Sequence, residues 1–191
     1  TMESNVYGGI IGSFYGHVKT PIVLDKHRGW PRNYAPIKSY ITQDPRIICT
    51  HRPISEVITS YLVLIEKNGD KPNFVDDHLK RLGKKPNAES RAAILWQNYI
   101  SDPYQSTMYG IKNCRKNILF VSYDQITAEP HETMRKIYEF IGVEPFKGHD
   151  FKSIQNKCAE DKDAAWGIDG LHEIRSSLGK VSRKPSELLG D

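Results

Sequence analysis

Cysteine, long apolar runs and surplus positive charge are all scarce in this sequence. The three cysteines, Cys49, Cys114 and Cys158, share no CxxC spacing, so we expect reduced thiols in a cytoplasmic location and no zinc site. No apolar run approaches the roughly 20 residues that cross a bilayer, and no basic-then-apolar leader opens the chain. The net charge of +4 is too small for a dedicated nucleic-acid binder and suits a local site for an anionic small ligand.

A phosphate loop and metal-ligand spacing are missing as well. The glycine-rich stretch GGIIGSFYG, residues 8–16, lacks the Gly-Lys-Ser/Thr ending that places a lysine on phosphates. We therefore interpret it as a flexible loop or a helix-packing segment. Five histidines are scattered without ligand spacing, so no metal is expected: His51, His78, His131, His149 and His172.

The composition is that of an ordinary globular protein. The 191 residues are 38% hydrophobic with mixed charges, which suits one domain over residues 1–191. We expect its core at about residues 20–145 and a loop-rich tail over residues 146–191, where the periodic pattern weakens.

The segment RIICTHRPISEVITSY, residues 46–61, combines a strand, a basic turn and a helix. Residues 47–49 are apolar, as in a strand buried on both faces of a parallel sheet, and Pro53 can open a helix. Arg52 at the strand end and Ser60 on the helix can take a phosphate through a forked guanidinium and a hydroxyl. The apolar stripe of the helix consists of Ile54, Val57, Ile58, Tyr61, Leu62 and Ile65.

Two further predicted strands also end in polar clusters. Residues 22–24 are interpreted as a short buried strand, and residues 118–121 as another. Ligands of open parallel sheets bind beyond the carboxyl ends of the strands, so the basic ends of the strands at 22–24 and 47–49 predict a shared polyanion site. The alternative for residues 25–28 is a solvated charged turn. The clusters consist of Asp25, Lys26, His27 and Arg28 after one strand, and of Ser122, Tyr123 and Asp124 after the other.

Helical patterns fill the rest of the chain. The alternation of strands and helices predicts an α/β fold, a parallel β-sheet flanked by helices. The expected pieces are a short helix or turn over 31–44, an exposed connection or lid over 66–87 with a helix at 74–82, and helices over 88–99, 104–112 and 130–141. Pro103 is expected to interrupt the chain between two helices, and Gly142 to end the last one.

Three motifs together resemble one known family. VLDKHRGWP, the Arg52 and Ser60 pair, and ILFVSYDQITAEPHETMRKIYEFIGV stand in the order and spacing of sulfotransferases. Two C-terminal segments, HDFKSIQN and GLHEIRSSLGKVSRKPSELLG, are more similar to the bacterial and tyrosylprotein-type relatives. The resemblance covers about residues 22–143. It implies a P-loop nucleotide-kinase-like sulfotransferase fold. It also implies in-line transfer of a sulfuryl group from 3′-phosphoadenosine 5′-phosphosulfate (PAPS) to a hydroxyl or amine, with adenosine 3′,5′-bisphosphate (PAP) as product and no metal.

The resemblance also implies roles for single residues. Arg52 and Ser60 match the pair that holds the 3′-phosphate, and Tyr123 matches a tyrosine that contacts the nucleotide near the adenine. Lys26 matches the lysine that approaches the transferring sulfuryl group. The basic residues that close over the phosphates match two positions of the tail, Arg175 and Lys180. The acceptor is expected to be a small molecule, glycan or peptide, and no nucleic-acid partner is expected.

The general base and the donor loop depart from the family pattern. Relatives place a histidine two residues after the lysine, where Arg28 stands, so His27 is a candidate base one position early. An upstream acidic residue, as in tyrosylprotein-type relatives, is the alternative. None of the 25 residues before Lys26 fits the 5′-phosphosulfate loop, and we expect that loop and its strand to precede Thr1.

Two other functions stay open at this point. One is a non-catalytic module that binds a 3′-phosphonucleotide or another polyanion. The other is a different P-loop-type enzyme, such as a nucleotide kinase.

Overall fold

The computed structural model describes residues 2–20, 22–155, 163–180 and 183–190 of the chain. In these ranges the helices and strands follow in the order α1 (Met2–Tyr15), α2 (Tyr34–Tyr40), β1 (Ile47–His51), α3 (Ile54–Asn68), α4 (Phe74–Arg81), α5 (Ala88–Leu95), α6 (Ser101–Cys114), β2 (Ile118–Ser122), α7 (Tyr123–Ala128), α8 (Pro130–Ile141), α9 (Asp163–Trp166) and α10 (Ser186–Leu189). A π-helical turn, Trp96–Ile100, leads from α5 into α6, and a 3-10 turn, Arg115–Asn117, precedes β2.

The strands β1 and β2 form a two-stranded parallel sheet, and each is followed along the chain by a helix. This arrangement confirms the predicted α/β class. Residues 47–49 are half-buried rather than buried on both faces, because β1 has one neighbouring strand within the described ranges.

The predicted strand at residues 22–24 is wrong. These residues have no regular secondary structure, and their side chains are exposed, Leu24 by 74%. A strand gains stability from ladder hydrogen bonds and cross-strand packing, and the described sheet pairs β1 with β2 only. Three apolar residues without a pairing partner therefore stay irregular and exposed.

The chain divides into two compact units. Unit 1 comprises Thr1–Cys49 and Asp102–Phe120, and unit 2 comprises Thr50–Ser101 and Val121–Asp191. The organisation of the whole chain as a single domain stays a prediction.

Unit 1 is built around close packing of α6. A Cβ at Gly110 would lie 2.7 Å from side-chain atoms of both Ile118 and Pro31, so only glycine fits there. The buried Ser106 hydroxyl accepts a hydrogen bond from the Arg32 backbone N–H at 3.2 Å. Residues 31–33 are therefore held against α6.

The glycine-rich N-terminal stretch of unit 1 is helical and forms α1. A Cβ at Gly8 would meet the backbone oxygen of Tyr40 in α2 at 3.5 Å, so the two helices approach each other here. Of the two interpretations of this stretch, the helix-packing segment is confirmed, and α2 confirms the short helix predicted within residues 31–44.

Unit 2 has its core between α3, α4 and α5. The predicted stripe of α3 is confirmed, since Leu62 and Ile65 are buried and the other four residues pack against the same core. Ile168, in the loop-rich tail, is fully buried in this core. The sequence did not predict its burial, because the apolar residues of the tail show no helical or strand period.

Helix α4 confirms the helix predicted at residues 74–82, but it belongs to that core, so the exposure predicted for the connection over residues 66–87 is wrong in its middle. Val75 and Leu79, four residues apart, are both fully buried. Asn73 caps the helix by accepting hydrogen bonds from the backbone N–H groups of Val75 and Asp76. Arg91 of α5 donates two hydrogen bonds of 2.7 Å to the Asp76 carboxylate. The charged residues that dominate this segment lie on the outer face.

Pro103 does not interrupt α6, contrary to the prediction. The irregularity comes earlier, in the π-helical turn, where the Ser101 N–H bonds to the Trp96 carbonyl. Pro103 is the third residue of α6. Proline is tolerated in the first turn of a helix, where its missing N–H removes at most one hydrogen bond. The helices predicted over 104–112 and 130–141 are confirmed, and Gly142 ends the latter with φ 75°.

Cys49 and Cys114 are free thiols, and Cys158 lies outside the described residues. Burial raises the pKa of both described thiols, which keeps them protonated. In the described part of the chain, no three side chains of His, Cys, Asp or Glu are grouped to hold a metal ion. No helix described in the structure is long and apolar enough to cross a bilayer.

Candidate functional site

The seven predicted site residues are divided between the two units. Unit 1 contains Lys26 and His27. Unit 2 contains the residues predicted to bind the nucleotide, namely Arg52, Ser60, Tyr123, Arg175 and Lys180. Each unit is therefore described separately.

Arg52 is fixed at the start of α3. It follows β1, and Pro53 is the N-cap residue of the helix. The Arg52 Nε donates a 2.9 Å hydrogen bond to Glu56 Oε2, and only 18% and 17% of the two side chains are exposed. Glu56 lies in the first turn, where the helix dipole favours a carboxylate. The guanidinium is thus held by a half-buried partner four residues further along.

Tyr123 lies beside this guanidinium. It is the first residue of α7, whose start is set by a reciprocal capping box between Ser122 and Gln125. The Arg52 Cζ lies 4.6 Å from the centroid of the Tyr123 ring, a cation–π distance. The Tyr123 hydroxyl donates to the Gly179 carbonyl at 3.3 Å. Tyr123 therefore contacts both Arg52 and the C-terminal segment.

Lys180 forms a second ion pair at the same place. Its Nζ donates a 2.6 Å hydrogen bond to Asp124 Oδ1, and 50% and 60% of the two side chains are exposed. The hydrogen bond to Asp124 raises the pKa of Lys180, the charge of Glu56 adds to this, and the charge of Arg52 opposes it. The charges of Arg52, Glu56 and Asp124 all act on Lys180, and we call Arg52, Glu56, Asp124 and Lys180 the charge cluster.

The segment that carries Lys180 is held by backbone hydrogen bonds. The Leu178 N–H donates to the Phe151 carbonyl at 2.8 Å, and the Ile154 N–H donates to the Ser176 carbonyl at 2.7 Å. Arg175 is exposed on this segment. These bonds fix the backbone on the N-terminal side of Lys180.

Ser60 lies on α3 one turn beyond Glu56 and is half-buried. Residues four apart on a helix are neighbours on one face, so Glu56 stands between Arg52 and Ser60 along that face. The neighbouring Thr59 is 1% exposed, and its hydroxyl has no hydrogen-bond partner.

The aromatic side chains after α8 form a second feature of unit 2. The His149 ring stacks on Phe151 with centroids 5.5 Å apart and planes 19° apart, and Tyr138 shares a 2.9 Å hydrogen bond with His149 Nε2. A cavity of about 400 Å³ is lined by Gly148, His149, Asp150, Phe151, Ser153, Ile154 and Gln155.

Lys26 and His27 lie in the exposed basic turn of unit 1. Asp25, beside them, accepts hydrogen bonds from Trp30 Nε1 at 3.1 Å and from the Tyr15 hydroxyl. His27 Nδ1 accepts a 3.0 Å hydrogen bond from the Gly29 N–H. An imidazole that accepts at Nδ1 carries its proton on Nε2 in the neutral form, so the atom that could take up a proton, Nδ1, is already engaged.

Sequence reasoning missed the roles of the two carboxylates of the charge cluster, although it named Asp124 in the polar cluster after residues 118–121. Glu56 was detectable, because the spacing of four from Arg52 is the helical ion-pair spacing. Asp124 was visible only as the residue after Tyr123, since its partner Lys180 is 56 residues away. The two cations and two carboxylates cancel in formal charge.

The arrangement offers a guanidinium, a hydroxyl and an ammonium for an anion, with an aromatic ring beside them. No curated protein and no solved structure gives a match to the chain. The family model described as the sulfotransferase domain matches residues 12–179, a range that holds every predicted site residue except Lys180. Because this match extends over most of the chain, the protein belongs to the sulfotransferase family.

Proposed function

We propose that this sulfotransferase uses PAPS as donor and transfers the sulfuryl group to a hydroxyl or amine of a small-molecule, glycan or peptide acceptor. The observation that carries the proposal is the arrangement at the start of α3. Arg52 is held there by Glu56 and lies against the Tyr123 ring, with Ser60 further along the same helix. The charge and the fixed fork suit a phosphate monoester.

The residues of unit 2 fit the 3′-phosphate end of such a donor. Arg52 and Ser60 would hold the phosphate, Lys180 would add a second positive charge, and the exposed Arg175 would approach from the same segment. Tyr123 would orient the guanidinium through its ring and border the nucleotide. These assignments need no metal, because the side chains themselves supply the cations.

Lys26 and His27 are proposed for the transfer itself. When bound, PAPS supplies the sulfuryl group, and charge accumulates on the oxygens around it during a loose in-line transfer. The Lys26 ammonium would neutralise part of this charge. His27 would accept the acceptor's proton only through Nδ1, after releasing the Gly29 N–H. A His27→Gln variant with undiminished turnover would remove it from this role.

The test of the proposed donor is calorimetric titration with PAP. The wild-type chain is expected to bind PAP, and Arg52→Ala is expected to weaken binding by about 100-fold, because it removes a hydrogen-bonded charge pair from a half-buried site (about 2–3 kcal/mol). The matched control is Arg135→Ala, an exposed arginine of α8 paired with Glu132, which should leave the affinity unchanged.

Two results would contradict the proposal. Equal affinity of the wild type and Arg52→Ala would remove the phosphate site from α3. Preference for ATP with magnesium over PAP would favour a nucleotide kinase. The engaged Nδ1 of His27 favours one other function, a binding module without transfer chemistry. Such a module would bind PAP and show no transfer from labelled PAPS to any of a panel of phenols, sugars and amines.

A further inference from the structure

The two ion pairs of the charge cluster differ in their access to solvent. The side chains of Arg52 and Glu56 are 18% and 17% exposed, whereas those of Lys180 and Asp124 are 50% and 60% exposed. Both pairs have short contacts, 2.9 Å and 2.6 Å. Their difference is therefore one of solvation and not of geometry.

This difference decides which pair can exchange partners. An exposed ion pair contributes little because water and salt screen it. Breaking a half-buried pair leaves a poorly solvated charge behind, which is strongly unfavourable. An anion that enters the charge cluster will therefore displace Asp124 from Lys180 before it displaces Glu56 from Arg52.

Lys180 can change its partner without leaving the site. The backbone before it is held by the Leu178 to Phe151 hydrogen bond, at 2.8 Å, and by the Tyr123 to Gly179 hydrogen bond, at 3.3 Å. Neither bond involves the Asp124 carboxylate. Loss of the ion pair therefore leaves the backbone that carries Lys180 in place, with the ammonium charge available to a new acceptor.

We propose that Asp124 is an internal stand-in for an anionic group of the ligand, which pairs with Lys180 in the free protein and is displaced when a nucleotide phosphate binds. Glu56 has the opposite role and is a positioning residue that keeps the Arg52 guanidinium in place. The inference rests on the proposed function, because it takes PAP as the anionic ligand. According to this inference, the Asp124 carboxylate lowers the affinity for PAP, whereas the Glu56 carboxylate raises it.

The test compares neutral variants of the two carboxylates by calorimetric titration with PAP. Asp124→Asn should bind PAP about two- to fivefold more tightly, because a repulsive exposed charge and a competitor for Lys180 are both removed. This gain in PAP affinity should be smaller at high salt, because salt screens the charge of the exposed Asp124 in the wild type. Glu56→Gln should bind PAP at least about fivefold more weakly, because the guanidinium loses its fixed orientation.

The matched control is Asp77→Asn. Asp77 is also an exposed aspartate in the first turn of a unit 2 helix, so the change alters net charge and helix dipole in the same way outside the charge cluster. The affinity of the Asp77→Asn variant for PAP should equal that of the wild type. Thermal unfolding of every variant identifies any that has lost its fold, and Asp124→Ala serves as the second variant.

A double-mutant cycle shows whether Asp124 acts through Lys180. In a Lys180→Ala background the gain from Asp124→Asn should fall to less than half, because no cation is left to release. An unchanged gain in that background, or an Asp124→Asn protein that binds PAP equally or more weakly than the wild type, overturns the inference. If the wild type and Arg52→Ala bind PAP equally, the proposed function fails and the inference falls with it.

Discussion

Residues 22–28 of unit 1 and helix α4 of unit 2 use their apolar side chains in opposite ways. Leu24 stands in an uninterrupted apolar run and is 74% exposed, whereas Leu79 stands among charged residues and is fully buried. The first segment has no regular secondary structure, and its Asp25 carboxylate is held by Trp30 and Tyr15. The second segment is capped, helical and ion-paired to α5.

The difference shows that spacing decides burial more than composition does. Val75 and Leu79 are four residues apart, so a helix places both on one face while the charges around them point outward. Residues 22–24 would need a neighbouring strand to hide both of their faces. The basic turn that follows them therefore presents Lys26 on an exposed segment.

The largest expected effect is on stability, and it is measured by replacing one leucine in each segment. Leu79→Ala should lower the free energy of unfolding by about 2–5 kcal/mol, because it leaves a cavity among fully buried neighbours. Leu24→Ala should change it by less than about 0.5 kcal/mol, because its side chain already contacts water. Urea unfolding of both variants measures the two values. Similar losses at the two positions would contradict the burial difference.

The second prediction tests whether Lys26, in the exposed basic turn, takes part in sulfuryl transfer. Lys26→Ala should lower the turnover of PAPS by about 100-fold, a loss typical of removing one charge-stabilising donor, and should leave PAP affinity within about twofold. Lys19→Ala, another exposed lysine of unit 1, is the matched control and should keep full turnover. A parallel loss of PAP affinity and turnover in Lys26→Ala would instead make Lys26 a nucleotide-binding residue.

Elements with a strong internal period could be predicted from the sequence. The stripe of α3 repeats at helical spacing, and Gly142 supplies the positive φ that ends α8. The strands β1 and β2 were recognisable as short apolar runs, but so was the unpaired segment 22–24. A short apolar run does not show whether another strand lies beside it in the fold, because the two strands of a pair can be far apart in the sequence.

The candidate site was predictable to a similar extent. Arg52 was placed by the local sequence, as a basic residue between a strand and a helix, and its partner Glu56 is also local. The Lys180 to Asp124 pair is not local, because it joins residues 56 positions apart. No helical or strand period relates such residues, so only the folded chain brings them together.

The smallest expected effect concerns the ion pair that joins α4 to α5. Burial raises the pKa of Asp76, but the hydrogen bonds from Arg91 and Asn73 outweigh it, and the pKa is lowered. A lowered folded-state pKa gives stability that is present above the ordinary aspartate pKa of about 3.9. This stability is lost as the pH falls through the lower, folded-state value.

Asp76→Asn should therefore lower the free energy of unfolding by about 1 kcal/mol near neutral pH, the typical contribution of a charged hydrogen bond in a half-exposed site. The difference from the wild type should shrink as the pH falls below about 4. Asp77→Asn, on the exposed face of the same helix, is the matched control and should change the free energy of unfolding by less than about 0.5 kcal/mol near neutral pH. Urea unfolding across this pH range measures both variants. A constant difference at all pH values would mean that the Asp76 charge does not hold α5 on α4, and that the buried Val75 and Leu79 alone set α4 apart from the exposed segment of unit 1.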